Sequence, residues 1–372
     1  MHSKSNRWRA AILVLTGIIA LGLPTVFAVP NGYIQHNLVS DLPNLAERTD
    51  PNLINPWGIS APPTGPIWVA DNNGGVATVY FGNGRPFPKT HSPLVVAIPP
   101  PAGGSGAGTP TGNVFNDTSD FVITEGTRSG PARFIFATED GTLAGWNPEV
   151  DRNAAVLAKD ESPSGAVYKG LALGANSTGN FLFATDFHNG FVAMFDHNFN
   201  LVKTFTDASI PMGFAPFGIR NIGGMLFVTY AKQKPPDNHD DEAGPGNGFV
   251  DVFDTTGAFL RHFASHGTLN SPWGLALSGD FGKFSHALLV GNFGDGRINA
   301  FDPASRTFLG QLNDQHGNPI AIEGLWGLMF GNGFDGAHSN VLFFTAGIND
   351  EQDGLFGTLR AMSDDDNQGD EN

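Results

Sequence analysis

Between Asn270 and Leu312 the chain reads NSPWGLALSGDFGKFSHALLVGNFGDGRINAFDPASRTFLGQL. Four apolar runs, Trp273 to Leu277, Ala287 to Asn292, Gly296 to Phe301 and Thr307 to Leu312, are set apart by clusters of Gly, Asn, Asp, Ser and Pro. Short runs bounded by turn formers predict four antiparallel strands. The pattern recurs along the chain, and a single such unit cannot bury its own apolar face, so neighbouring units must stack.

Working outward, unit one carries NPWGIS from Asn55, IWVADNNG from Ile67, VATVY from Val76 and LVVAI from Leu94. A Pro/Gly/Ser run from Pro99 to Gly112 reads as a connecting loop. Unit two has SDFVIT from Ser119, RFIFATEDG from Arg133, LAGWNP from Leu143 and AAVLA from Ala154. Units three and four open on YKGLALG from Tyr168 and APFGIR from Ala215, and unit six on GLWGLMF from Gly324. Aligning the first strands puts Gly58, Gly170, Gly218, Gly274 and Gly327 in register, with Asp120 in the second unit. The five steps from Gly58 to Gly327 cover 269 residues, about 54 per unit, the span of a four-stranded propeller blade. The expected fold is therefore all-β, a six-bladed β-propeller. Unit six offers three strands, and Tyr33 to Asp41 has no hairpin partner of its own, so the N-terminal strand is predicted to complete the last blade and close the ring.

Composition fits this reading. The 49 glycines, 31 phenylalanines and only 15% charged residues suit many short strands and tight turns. Lys4, Arg7 and Arg9 precede an apolar run, Ala10 to Leu23, and Val26-Phe27-Ala28 has the form of a cleavage site, which predicts a signal peptide over residues 1–28. The expected domains are this leader, a propeller over 29–362 and a disordered acidic tail over 363–372. The expected address is secreted or periplasmic, as a monomer with no membrane attachment after cleavage. Loss of the three leader charges takes the formal net charge from −16 to −19. A chain so acidic repels nucleic acid and attracts cations. The absence of cysteine excludes disulfides, thiolate metal sites and cysteine nucleophiles.

The strings PWGL, VADNNG and FVDVFD resemble six-bladed propellers of the NHL-repeat and gluconolactonase type. More closely, FATEDGTLAGWNP (Phe136 to Pro148), HDDEAGPGNGFVDVFD (His239 to Asp254) and NDEQDGLFG (Asn349 to Gly357) resemble an uncharacterised family of exported bacterial propellers. The resemblance implies the fold. It assigns no activity, although lactonases and calcium-dependent phosphotriesterases on the wider fold hold a metal ion at the channel mouth.

In a propeller, the loops between second and third strands meet around one mouth of the central channel, together with those leading into the first strands. Every second-to-third loop here carries a carboxylate, and Asp71, Asp186, Asp240, Asp241, Asp295 and Asp350 are candidate ligands for Ca2+, which takes six to eight oxygens. Asp and Asn also cap tight turns on their own backbone, so both roles stand open. Trp57, Trp273 and Trp326 precede register glycines, and with Asn72, Glu139 and Asn292 they are candidate ligand-binding residues; such aromatics also pack blade against blade. His188 beside Asp186 is a candidate general base. The longest insertion, Lys232 to Asn247, offers a mobile loop or a lid. The functional expectation is a binding or interaction module with a calcium and small-ligand site at the mouth; the alternative is a metal-dependent hydrolase of lactones or phosphoesters. Gly331, Gly333 and Gly336 spell G-x-G-x-x-G, but a strand follows where a phosphate-binding helix is needed.

Overall fold

A computed structural model of the chain describes residues 32–363 and Asp366. The predicted leader and most of the predicted acidic tail lie outside the described residues. Six four-stranded antiparallel sheets stand as the blades of a propeller. Blade one runs from Pro56–Ser60 through Ile67–Asp71 and Val76–Tyr80 to Val95–Ala97, innermost to outermost. Blades three, four and five keep the same order, opening on Tyr168–Asn176, Phe214–Ile222 and Pro272–Leu277. The innermost strands touch one another in a closed circle, the last against the first.

Blade six joins the two ends of the chain. Leu325–Phe330, Val341–Gly347 and Asp353–Ala361 are followed outward by Tyr33–Ser40, which pairs antiparallel with Asp353–Ala361 from Tyr33 opposite Ala361 to Ser40 opposite Leu355. A two-residue strand, Arg48–Thr49, adds a fifth edge. Tyr33 also reaches blade five: its hydroxyl donates to Phe281 O at 3.0 Å and accepts from Phe284 N at 3.1 Å.

Blade two departs from the sequence expectation. Its innermost strand is Pro110–Phe115, and Val122–Glu125 instead forms an inserted hairpin with Arg128–Pro131. The register residue is thus Gly112, not Asp120, and the end of the presumed connector is part of a blade. The reason is steric. A Cβ on Gly58, Gly112, Gly218, Gly274 or Gly327 would run into the innermost backbone of the next blade, so the glycine that lets the blades approach outweighs the low strand propensity of a Pro/Gly-rich run.

Each blade packs on both faces. In Gly248–Asp254, Phe249 and Phe253 join Phe183 and Phe205 of blade three, while Val250 and Val252 join Leu275 and Val290 of blade five. Two-sided burial explains why the strands are near-continuous apolar runs instead of alternating ones. Arg360 and Asp366 pair through two hydrogen bonds of 2.6 and 2.7 Å.

Candidate functional site

Of the residues that precede the register glycines, Trp57, Phe217, Trp273 and Trp326 form one aromatic plug. Trp57 stacks on Trp326 at 3.6 Å between ring centres, and Phe293 stacks on the other partner at 4.0 Å. Blade three has Lys169 at this position, with 3% of its side chain exposed. Its ammonium lies 5.0 Å from the centre of the Trp57 ring and is paired with Glu139 Oε1.

Around that pair lies a cavity of about 400 Å3 to which all six blades contribute: Asn55, Trp57, Asn72 and Asn73, Glu139, Lys169, the loop residues Lys234, His239, Asp240 and Asp241, Phe293, and Trp326 with Asp350, Glu351 and Gln352. Asn72 Nδ2 donates to Glu139 Oε2 at 2.8 Å, so both oxygens of Glu139 are engaged. His239 Nδ1 lies 3.1 Å from Asp240 Oδ1, and that contact pushes the imidazole up and the carboxyl down. Burial raises Asp241, whose Oδ2 has no partner. Burial also pushes Glu351 up to about 7, against the hydrogen bond it accepts from Asn55 Nδ2 at 3.2 Å. A carboxyl poised there can donate or accept at neutral pH.

A larger cavity, about 530 Å3, opens at the other end of the channel, where Asp117 and Arg220 are its charged lining residues. Arg220 Nη1 donates to Leu328 O at 2.8 Å across the channel. Titratable groups concentrate at the first mouth, which makes that mouth the candidate site.

The sequence-predicted residues divide between the two mouths and the blades. Trp57, Asn72, Glu139, Trp326, Asp240, Asp241 and Asp350 reach the candidate cavity. Trp273 faces the opposite cavity, with Nε1 donating to Lys169 O at 3.1 Å. Asp186 caps its own turn, accepting from Asn189 N at 3.1 Å and Asn189 Nδ2 at 2.9 Å. Asp295 does likewise with Asn292 Nδ2 at 3.0 Å and Arg297 N at 3.2 Å. Asn292 is buried and also donates to Thr268 O at 2.8 Å. Asp71 is fully buried in its blade, and burial pushes its carboxyl well above the usual range. The six aspartates therefore do not share one cavity: turn capping and blade burial take Asp71 and Asp186 out of it, and Asp295 lines an adjoining cavity together with Phe293, Asp350 and Glu351. His188 is exposed and meets Asp237 O at 2.8 Å, where it braces the long loop rather than facing a reaction site.

That loop is folded onto the mouth. Gln233 Nε2 donates to Phe187 O at 2.6 Å, Lys234 N to Asp240 O at 2.8 Å, and Gly244 N to Asn270 Oδ1 at 2.7 Å. Sequence reasoning missed Lys169, Asn55 and Glu351 as site residues. The signal for Lys169 was its place in YKGL, where the other first strands carry Trp, Phe or, in blade two, Thr.

No family model matches the chain. An uncharacterized protein of Acanthamoeba polyphaga mimivirus, R648, is 35% identical over 336 residues, covering 87% of this chain and 78% of its own length. A second from the same virus, L690, is 34% identical over 336 residues, covering 87% of this chain and 84% of its own length. Among solved structures, a luciferin-regenerating enzyme superposes with a TM-score of 0.51 at 12% identity, covering 89% of this chain and 96% of its own. At that identity the likeness is one of fold.

Proposed function

This chain belongs to the family of the mimivirus proteins R648 and L690, and from its geometry we propose a ligand-binding propeller that takes a small, hydroxyl-rich or amine-bearing molecule at the Lys169–Glu139 mouth. The observation that carries the proposal is the ion pair itself. A buried charge pair is weak evidence for stability, because desolvation offsets much of the attraction. Here it forms the floor of an open cavity lined by residues of every blade, the usual setting of a recognition group. Glu139, Asp240, Asp241, Asp350 and Glu351 outnumber Lys169 and Lys234 there, so the cavity favours a ligand rich in hydrogen-bond donors.

Our proposal leaves calcium out of this mouth, although Glu139, His239 and Asp240 stand close enough to share an ion. Of its donors, Glu139 Oε1 already faces the Lys169 ammonium, which also lies 3.9 Å from Asp240 Oδ1. A fixed positive charge among the carboxylates opposes a divalent cation that needs six to eight oxygens. The hydrolase alternative loses its assigned base in the same way, since Asp186 and His188 face other partners. Export remains part of the proposal, on the strength of the leader sequence.

The test is a thermal-shift screen of sugars, polyols, polyamines and amino acids, with Ca2+ as a separate arm. A ligand at 100 times its Kd stabilises by about 2.7 kcal/mol. Hits that vanish in Glu139→Gln and Lys169→Met support the mouth, and hits that survive both place the site elsewhere. A rise with Ca2+ that is lost in Glu139→Gln would reinstate the cation at this mouth.

A further inference from the structure

Asp251 occupies the apolar face of its strand, between Phe249 and Phe253 on the side that packs against blade three. It is 0% exposed, and its Oδ2 has no hydrogen-bond partner. Across the sheet it stands in register with His262 of the outer strand Phe259–Ser265. His262 Nδ1 lies 2.9 Å from Asp251 Oδ1 and 3.4 Å from Asp207 Oδ2. Asp207 comes from the loop that leaves the outer strand of blade three, Leu201–Phe205, and 9% of its side chain is exposed. Two carboxylates with little access to water thus face one imidazole. Their mutual repulsion around a buried carboxylate must be offset by a proton or a cation.

We propose that Asp207, Asp251 and His262 form a binding site for a first-row transition-metal dication such as Zn2+, joining the loop of blade three to the outer edge of blade four. The spacing fits. Donors bonded at about 2.0–2.2 Å to one ion stand roughly 3–3.5 Å apart; His262 Nδ1 stands 2.9 and 3.4 Å from the two carboxylate oxygens, and the three donors lie within 4.8 Å of one another. The surrounding hydrogen bonds fit as well. Ser209 Oγ donates to Asp207 Oδ2 at 2.9 Å and lies 3.1 Å from His262 Nε2. With the hydroxyl proton on Asp207, Nε2–H donates to Ser209, and Nδ1 can offer a cation its lone pair in place of the proton it shares with Asp251 Oδ1 at 2.9 Å. A cation closes that arrangement. The imidazole nitrogen selects Zn2+ or its neighbours over Ca2+ and Mg2+, which prefer all-oxygen sets. Water completes the coordination on the open side, where 54% of the His262 side chain is exposed. This site lies apart from the channel mouth and stands independently of the function proposed there.

Chelator-treated protein is titrated with Zn2+ by calorimetry and with Co2+ by visible absorption. The expected result is one equivalent bound, with a rise in Tm, and an affinity at least tenfold weaker in His262→Ala, which changes a half-exposed residue, and in Asp207→Asn, which keeps the side chain's size. Mouth variant His239→Ala should bind as the parent does. Absence of stoichiometric binding would overturn the proposal. Binding that is unchanged in His262→Ala, or abolished in His239→Ala, would overturn it too.

Discussion

Replacing Glu351 by Gln tests the electrostatics of the mouth most directly. Glu351 follows two other residues with positive φ, Asn349 and Asp350, and its own φ is 63°; Gln has the same backbone preferences and its Oε1 can still accept from Asn55. The variant therefore differs chiefly in charge. Burial raises the carboxyl from 4.5 to about 7, a shift that corresponds to about 3 kcal/mol at 1.36 kcal/mol per unit. Below pH 4.5 the acid is protonated in both folded and unfolded states and contributes nothing. Between pH 4.5 and about 7 the native state keeps a proton that the unfolded state releases, so stability falls as pH rises; above about 7 the full penalty applies. Glu351→Gln should remove that penalty. With an unfolding entropy of about 0.7 kcal/mol/K for a domain of this length, Tm should rise by about 4 °C at pH 8 and stay nearly unchanged at pH 4.5. Scanning calorimetry at both values measures it. A shift of equal size at the two values, or none at pH 8, would refute the burial argument.

Three further outcomes follow from the packing. Gly218→Ala, whose Cβ would meet the Trp273 carbonyl, should lower the urea midpoint by an amount equivalent to about 1–3 kcal/mol; Gly279→Ala, with open space around it, should leave it nearly unchanged. Lys169→Ala strands Glu139 and should cost about 3–5 kcal/mol, and adding Glu139→Gln should recover part of it in a denaturant double-mutant cycle. Tyr33→Phe deletes two hydrogen bonds to blade five and should cost about 1–3 kcal/mol, read by the same titration.

The sheet order was legible because two-sided burial writes itself as apolar runs, and because the register glycines recur where backbones approach. It failed at Gly112, where the signal lay inside PPPAGGSGAGTPTG, a stretch whose composition speaks for a loop. The mouth was legible as a place and only partly as a set of groups. Loop position places a carboxylate near the rim, but whether it turns inward depends on local hydrogen bonds: Asp186 and Asp295 satisfy their own turns, and Asp240 does not. Lys169 and Glu351 draw their character from burial against distant blades, which spacing along the chain does not encode. Asp251 was visible within FVDVF as a charge among apolar neighbours, but its partners Asp207 and His262 come together only through folding.

The pairing of Tyr33–Ser40 with Asp353–Ala361 sets when this molecule can become whole. Ser40 Oγ bonds to Gly354 O across 314 positions, so this early strand waits for five blades and most of a sixth before it gains its partner. Until then five blades stand with both seams bare, and apolar faces meant for neighbours are open to other nascent chains. A product broken off before Asp353 should consequently be a target for chaperones or proteases, and not a smaller propeller.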